Sequence, residues 1–407
     1  MPARPATTRP TSATGPGRAE PTEVRVLVLN PGSSTLKAAV LEPPDRTPLA
    51  SIEVGRGSDA SRDGDAASAV ADALAALRPA VDAATIDAVG YRVVHGGPRF
   101  SGPVRIGDDV VAAIDELADL APLHNRLAAA TIRAGRSALP GVVHVAAFDT
   151  AFHATLPEDA IRYAVPALWA ESWGVRRYGF HGLSVAWSTR RCAELLDRPV
   201  ADLRLVVAHL GSGCSVTAVS GARSVETSMG MTPLEGLVMG TRAGSLHPGI
   251  LLALLRDRRL TVEELAEGLD HRSGLLGLSG RTADVRELLL AEAAGDAAAR
   301  LALAVFVRRA AAGIAAAATA LDRLDAIVFT GGIGARARPI RRRILGRLAV
   351  LGVDRDPAVD VEAGADPETA DDVSEPRSGP AIARIVARED VVIAEATVEI
   401  AGGGAAR

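Results

Sequence analysis

The chain has almost no lysine. Lys37 stands alone among 45 basic residues, the rest being arginine. Asparagine occurs only at Asn30 and Asn125, and glutamine is absent. Such a background discards Lys and Asn wherever Arg, Ser or Asp serves, so a survivor marks a side chain that is hard to replace. Cysteine is scarce too. Cys192 and Cys214 can build neither a disulfide framework nor a four-thiolate zinc site, which points to a reduced, cytoplasmic compartment. With a net charge of −4 there is no electrostatic case for nucleic acid or an anionic membrane. Residues 1–22 lack the apolar core of a secretory signal and read as a disordered, Pro/Ala/Thr/Arg-rich extension. The longest apolar stretch, 310–321, is too short for a membrane span and is flanked by Arg308, Arg309 and Asp322.

What is present is globular: 407 residues, 48% hydrophobic and 23% charged, long enough for two domains. The β-branched run 24–29 predicts a buried strand, followed by the turn Asn30-Pro31-Gly32-Ser33-Ser34 and a second strand over 38–41. The pattern recurs at 203–210, with Gly211-Ser212-Gly213 and then 216–219. A third strand, 325–330, runs into Gly331-Gly332-Ile333-Gly334. The recurrence reads either as a shared ancestral unit or as ordinary turn chemistry, which favours Gly and Ser. Between these points lie helical patterns: a capping box at Thr261, a long Ala-rich helix over 296–324, and an Arg-rich one over 339–351. An acidic, Pro-containing surface excursion over 354–380 precedes a last strand (381–387) and a last helix (390–400). Strands alternating with helices indicate an α/β fold, and two like hairpins suggest two lobes facing across a cleft.

Gly-rich turns expose backbone N–H groups, whose natural ligand is an anion. Three such turns, one holding the only lysine, favour a nucleoside triphosphate gripped between the lobes. Other segments carry titratable groups: Tyr91-Arg92-Val93-Val94-His95, His124-Asn125, Phe148-Asp149, and Tyr178-Gly179-Phe180-His181. Taken singly, each is more often structural than catalytic.

Taken together, the segments VLVLNPGSSTLK, YRVVHGG, APLHN, AFDTAFH, RYGFHG, AHLGSGCS, ETSMGMTPLEGLVMGTR, HRSGLLGLSG, FTGGIG and REDVVIA closely resemble the acetokinase family, in family order from residue 24 onward. The resemblance implies a two-lobed fold of the sugar-kinase, chaperone-ATPase and actin type, each lobe a mixed sheet flanked by helices. Residues 24–153 with about 387–402 would form one lobe and 154–386 the other. It implies reversible transfer of the ATP γ-phosphoryl group to acetate, giving acetyl phosphate and ADP, with Mg²⁺ (Mn²⁺ as the alternative ion), in a homodimer formed through the second lobe. Carried over residue by residue, Arg92, Asp149, His181 and Arg242 are catalytic, and Asn30 and Glu389 are the metal-associated pair. Ser33, Thr35 and Lys37, then His209, Leu210, Gly211, Ser212 and Gly213, are the phosphate turns. Asp284, Val285 and Arg286, with Gly332, Ile333, Gly334, Ala335 and Arg336, surround the nucleoside. Val94, Leu123, Phe180 and Pro233, with Arg92, form the acetate pocket.

Acetate is ionised at neutral pH and brings no proton to remove. Its difficulty is charge: an anion must attack a polyanion, so arginines and a metal are the appropriate tools. Asp149, the family's essential aspartate, is therefore expected to orient an arginine or a metal-bound water. The chain departs from the family pattern at Pro98, Ser212, Ser245, His247, Val285, Ala335 and Arg336. Most of these lie on the nucleotide side, which leaves the phosphoryl donor open. A propionate or butyrate kinase of the same family, or a catalytically impaired nucleotide-binding homologue, are the alternatives.

Overall fold

The computed structural model describes residues 24–32, 35–55, 63–353, 371–374 and 379–402. The extension over 1–22, Ser33 and most of the acidic excursion lie outside these, as does the side chain of Leu123. Twelve strands among the described residues form two six-stranded sheets. The first holds β1 (Val26–Pro31), β2 (Thr35–Leu41), β3 (Ala50–Gly55), β4 (Ala88–Val93), β5 (Val104–Arg105) and β6 (Val143–Phe148), in the order β3-β2-β1-β4-β6-β5. The second holds β7 (Arg204–Leu210), β8 (Cys214–Ser220), β9 (Arg223–Thr227), β10 (Ala326–Thr330), β11 (Asp372–Ser374) and β12 (Ala381–Arg384), in the order β11-β12-β10-β7-β8-β9. Read from the other edge, the second order repeats the first. In each, a leading hairpin (β1/β2, β7/β8) is antiparallel, and its first strand pairs in parallel with the next central strand (β4, β10). The recurrence in the sequence is therefore a repeat of topology, beyond a likeness of turns.

The sheets share a core. Val28 and Leu41 of the first sheet and Val207 and Val328 of the second pack with Trp187 and Ile393, which come from helices Gly182–Leu195 and Glu389–Gly402. Gly90 permits this. A Cβ there would sit 2.4 Å from Thr397 Oγ1 and 2.6 Å from Ile393 Cγ2, so only glycine lets the C-terminal helix lie flat on β4. The outer face of the first sheet is covered by helices Asp63–Leu77 and Pro122–Ala138. That of the second is covered chiefly by Ala297–Ala318, capped by Asp296, whose small side chains let it pack closely. This helix is long and apolar enough to cross a membrane, yet one face of it is buried in the second core.

Several boundaries differ from expectation. The predicted strand 381–387 leaves the ladder after Arg384, because the Asp371 carboxylate accepts the Val386 N–H at 2.8 Å. The excursion is partly structured: Asp372–Ser374 adds an antiparallel edge strand to β12. The Arg-rich helix spans Arg338–Leu345 and stops short of 351. The capping box at Thr261 is present, with both reciprocal hydrogen bonds.

Candidate active site

The first sheet delivers its polar groups at the carboxyl ends of neighbouring strands. Asn30 faces Lys37 across the β1/β2 register, and the turn between them closes through Gly32 N–H donating to Thr35 O at 2.7 Å. Arg92 lies one residue from the end of β4, and Asp149 follows β6 directly. Parallel pairing of those strands brings the two side chains together. Arg92 donates Nη2 to Asp149 Oδ2 at 2.6 Å and Nε to Oδ1 at 3.2 Å, a two-pronged pair. Its Nη1 reaches Asn30 Oδ1 at 3.4 Å, and Glu389 lies 3.6 Å from Nε. Burial disfavours charge on Arg92, but Asp149 and Glu389 outweigh it and raise its pKa. Burial pushes the Asp149 carboxyl up, to about 6, against the pull of Arg92.

The second sheet delivers histidines and a glycine turn. His209, near the end of β7, stacks on His181 with ring centroids 4.1 Å apart. His181 caps helix Gly182–Leu195 with a left-handed φ of 59°, a strained conformation for a non-glycine residue. The strain is held by packing: a Cβ on Gly182 would come within 2.1 Å of the Asp149 carbonyl, so this turn presses against the Asp149 backbone. Burial and the nearby His209, Arg92 and Arg242 hold His181 neutral, well below the usual histidine range. Arg242 donates to the Pro233 carbonyl at 3.0 Å and makes no ion pair among the described residues. Burial lowers its pKa, Asp270 and Cys214 oppose that, and Arg92 adds to it. A Cβ on Gly213 would lie 3.7 Å from Arg242 Nη1 and 3.1 Å from His181 Nε2, so the two side chains flank the same glycine of the cleft wall.

Between the two sheets lies a cleft of about 710 Å³. Lys37, Arg92, His181, His209, the Gly211–Gly213 turn and Glu389 line it. Glu389 opens the C-terminal helix and accepts from Asn30 Nδ2 at 2.9 Å. Burial alone would raise its pKa, but Arg92, His209, Asn30 and Lys37 hold it below the usual carboxylate range. Ionised Glu389, Asp149 and the Asn30 amide form a hard oxygen set. No group of three or more His, Cys, Asp or Glu among the described residues could hold a metal unaided. That fits Mg²⁺, which is bound by one or two carboxylates plus substrate phosphates rather than by an all-protein cage.

The remaining expected residues fall into three groups. Val94 and Phe180 are buried side by side in the second core, and Pro233 carries the carbonyl that holds Arg242. Gly332 joins the cleft wall. Asp284, Val285, Arg286, Ile333, Gly334, Ala335 and Arg336 are not among the cleft-lining residues. Val285 and Ala335 point into the core, and Asp284 caps helix Val285–Ala293 while pairing with Arg286 at 2.5 Å. Leu210 is core, and Thr35 opens β2 beside the turn.

Two further residues, Ser215 and Ser184, escaped the sequence reading, and two that it named, His124 and Gly331, were given no individual role. Ser215 shares a 2.9 Å hydrogen bond with His181 Nδ1, and Ser184 a 2.8 Å one with His209 Nδ1, so each ring is oriented by a hydroxyl. Isolated serines in a strand and a helix give no signal of this. Burial, with Arg242 and Arg92 adding to it, lowers the His124 pKa to about 3. Gly331 has φ +75°, and a Cβ on it would lie 2.6 Å from the Leu210 carbonyl. The repeated Gly-Gly of that turn was a signal for it.

A cleft walled by Lys37, Arg92, two histidines, a glycine turn and ionised Glu389, with Asp149 paired to Arg92 and Arg242 behind Gly213, has the charge and donor set of a phosphoryl-transfer site. The acetokinase family model matches residues 25–395. An acetate kinase of Deinococcus radiodurans is 46% identical over 93% of this chain and 98% of its own length. That of Bacillus subtilis is 38% identical over 93% and 99%. Among solved structures, Porphyromonas gingivalis acetate kinase superposes with a TM-score of 0.82 at 33% identity, covering 93% of this chain and 99% of that one. A Francisella tularensis propionate kinase gives 0.81 at 34%, covering 93% and 100%. The chain belongs to the acetokinase family: it is an ATP-dependent phosphotransferase with a carboxylate acceptor, and its activity needs a divalent metal ion.

Proposed function

We propose that the protein moves the γ-phosphoryl group of ATP reversibly to acetate, yielding acetyl phosphate and ADP, with Mg²⁺ as the metal. The observation that carries this is the convergence of Arg92, from β4, and Arg242, from the segment after β9, on His181: Arg92 and His181 line the cleft with Gly213, and a Cβ on Gly213 would lie 3.1 Å from His181 Nε2 and 3.7 Å from Arg242 Nη1. Two guanidiniums can neutralise both the acceptor carboxylate and the charge on the transferring group, so that an anion approaches an anion. Asp149 and Glu389 fix Arg92 in place. Asp149 acts as an orienting group, since the acceptor offers no proton at neutral pH. His181, uncharged and oriented by Ser215, serves as a hydrogen-bond partner for the transferring oxygens. Lys37 and the turn at Gly211–Gly213 receive the phosphate chain. Asn30 and Glu389 would hold the metal, which when bound neutralises charge between the β- and γ-phosphates.

Val94, Phe180 and Pro233 border the acceptor methyl; the Leu123 side chain, expected with them, lies outside the described residues. Burying one methylene contributes roughly 0.8 kcal/mol, so such a wall separates acetate from propionate only weakly. The likeness to a protein titled propionate kinase supports testing the longer acid as a second substrate. The lobes are assigned as 24–153 with 387–402, and 154–386. Leu246 and Leu278, which border one groove of the second lobe, and Ile250, Leu252 and Leu301 are exposed there, and these exposed apolar side chains support a homodimer formed through this lobe. The scarcity of cysteine and two buried free thiols support a cytoplasmic location. Trapping the acyl phosphate with hydroxylamine, for acetate, propionate and butyrate with ATP, tests the proposal: hydroxamate forms with acetate, and its absence with every acid refutes it.

A further inference from the structure

His95 and Asn125 take no part in the proposed chemistry, yet both are fully buried beside it. Asn125, one of only two asparagines, sits in the first turn of helix Pro122–Ala138. Its amide clamps the main chain of His95 on both sides. Oδ1 accepts from His95 N–H at 3.0 Å, and Nδ2 donates to His95 O at 2.9 Å. The next residue is pinned as well: Gly96 N–H donates to Thr150 Oγ1 at 3.0 Å, one residue past Asp149. The segment that carries Arg92 and Val94 is thereby fixed to the first sheet.

The His95 ring then reaches across. Gly97 N–H donates to Nδ1 at 2.9 Å, so Nδ1 is the acceptor nitrogen and the ring proton lies on Nε2. Nε2 meets the Met231 carbonyl at 3.1 Å. Met231 belongs to the segment following β9 in the second sheet, two residues before Pro233, whose carbonyl holds Arg242. The Met231 N–H is held too, by Tyr163 Oη at 3.0 Å, and that hydroxyl donates to Glu235. Met231 is thus gripped at both backbone polar groups, once from each side. The ring is wedged edge-on between Tyr178 and Phe180, which fixes its plane. A buried polar group with all its hydrogen bonds made, whose partners come from the helix packed on the first sheet and from the segment that follows β9 of the second, acts as a registration pin between them.

We propose that His95, held by Asn125, is a positioning residue that sets Arg92 and Val94 against Pro233 and Arg242, and so fixes the acceptor side of the cleft. The inference rests on the phosphotransfer reading above. Glutamine can place an amide nitrogen near the position of Nε2 and keep the bond to Met231. Asparagine reaches only as far as Nδ1 and loses that bond. The test compares wild type, His95→Asn and His95→Gln by hydroxamate formation at varied acetate and at varied Mg-ATP, with melting temperatures taken in parallel. His95→Asn is expected to lower kcat/KM for acetate by about tenfold or more while KM for ATP stays within about twofold, and His95→Gln to recover to within about threefold of wild type. A purely structural role would lower stability and both substrates' parameters together, with no recovery in His95→Gln, and that result overturns the proposal, as does an unaffected His95→Asn. If His95→Asn does not fold, Asn125→Ser, which loses the donor to the His95 carbonyl, is expected to show the same acetate-selective loss, and an even loss for both substrates overturns it. An inactive wild type would instead refute the activity itself.

Discussion

Asn30 and Glu389 are joined by a 2.9 Å hydrogen bond across 359 positions of sequence. One lies a residue before the end of the first strand of the first hairpin, and the other begins the last helix. The bond exists because helix Glu389–Gly402 returns to β4 and lies on Gly90. The pair proposed to hold the metal therefore depends on a glycine that touches neither member.

Gly90→Val tests this directly. Its side chain would collide with Thr397 and Ile393, at a cost of roughly 1–3 kcal/mol for overpacking. The expected outcome is a lowered melting temperature and a raised requirement for Mg²⁺ in turnover, with KM for acetate least affected. An unchanged Mg²⁺ requirement in a destabilised protein would separate the helix from the metal pair.

The two arginines are predicted to fail differently. Each alanine variant is expected to lower kcat by about 10² to 10³, as for other charge-stabilising donors. Arg92→Ala also strands two buried carboxylates, and removing one partner of a buried pair costs roughly 3–5 kcal/mol. Arg242 has no such partner among the described residues, and burial already opposes its charge. Arg242→Ala should therefore keep the wild-type unfolding midpoint in urea while Arg92→Ala loses it. Equal stability of the two variants would contradict the pairing described.

Much of the frame was legible in the sequence because it is written in local signals. Apolar runs 24–29 and 203–210 became β1 and β7, shifted by one or two residues, and Asp296 and Thr261 cap the helices they precede. The expected catalytic set rests on the family resemblance, motif by motif. What was not legible is whatever depends on two distant segments meeting. Neither the approach of Thr397 to Gly90 nor the bond from His95 to Met231 leaves a periodic trace. The hydroxyls of Ser184 and Ser215 are ordinary until the fold sets them beside His209 and His181. Val285 and Ala335, expected near the nucleoside from the segments around them although each departs from the family's own residue, are buried in the core.

The protein should lose stability in mild acid. Burial pushes His95, His153 and His209 down to about 4, against an ordinary value of 6.5. Below pH 6.5 the unfolded chain takes up protons that these folded rings refuse, so stability falls as pH drops and levels off near pH 4. Each ring contributes on the order of 1–2 kcal/mol by about pH 5. Asp149 works the other way: its folded pKa, about 6 against 3.8, makes the folded state the better proton binder, so acid relieves it. Three histidines outweigh one carboxyl. Urea midpoints that fall between pH 7 and pH 5 are expected, and a flat profile would rule out buried neutral rings.

Gly331→Ala should act on the nucleotide alone. At φ +75° alanine is strained, and its Cβ would press on the Leu210 carbonyl beside the second phosphate turn. KM for ATP is expected to rise about tenfold with KM for acetate unchanged, reflecting local strain of order 1–3 kcal/mol. A parallel rise in both would show that the disturbance spreads to the acceptor side.

The most direct measurement follows phosphorus by NMR with ATP, Mg²⁺ and acetate, comparing wild type with Arg92→Ala and Arg242→Ala. The account predicts an acetyl phosphate resonance growing in step with ADP for the wild type, and only a trace for either variant under the same conditions. Loss of ATP without an acyl phosphate, or undiminished acetyl phosphate from either variant, would contradict it.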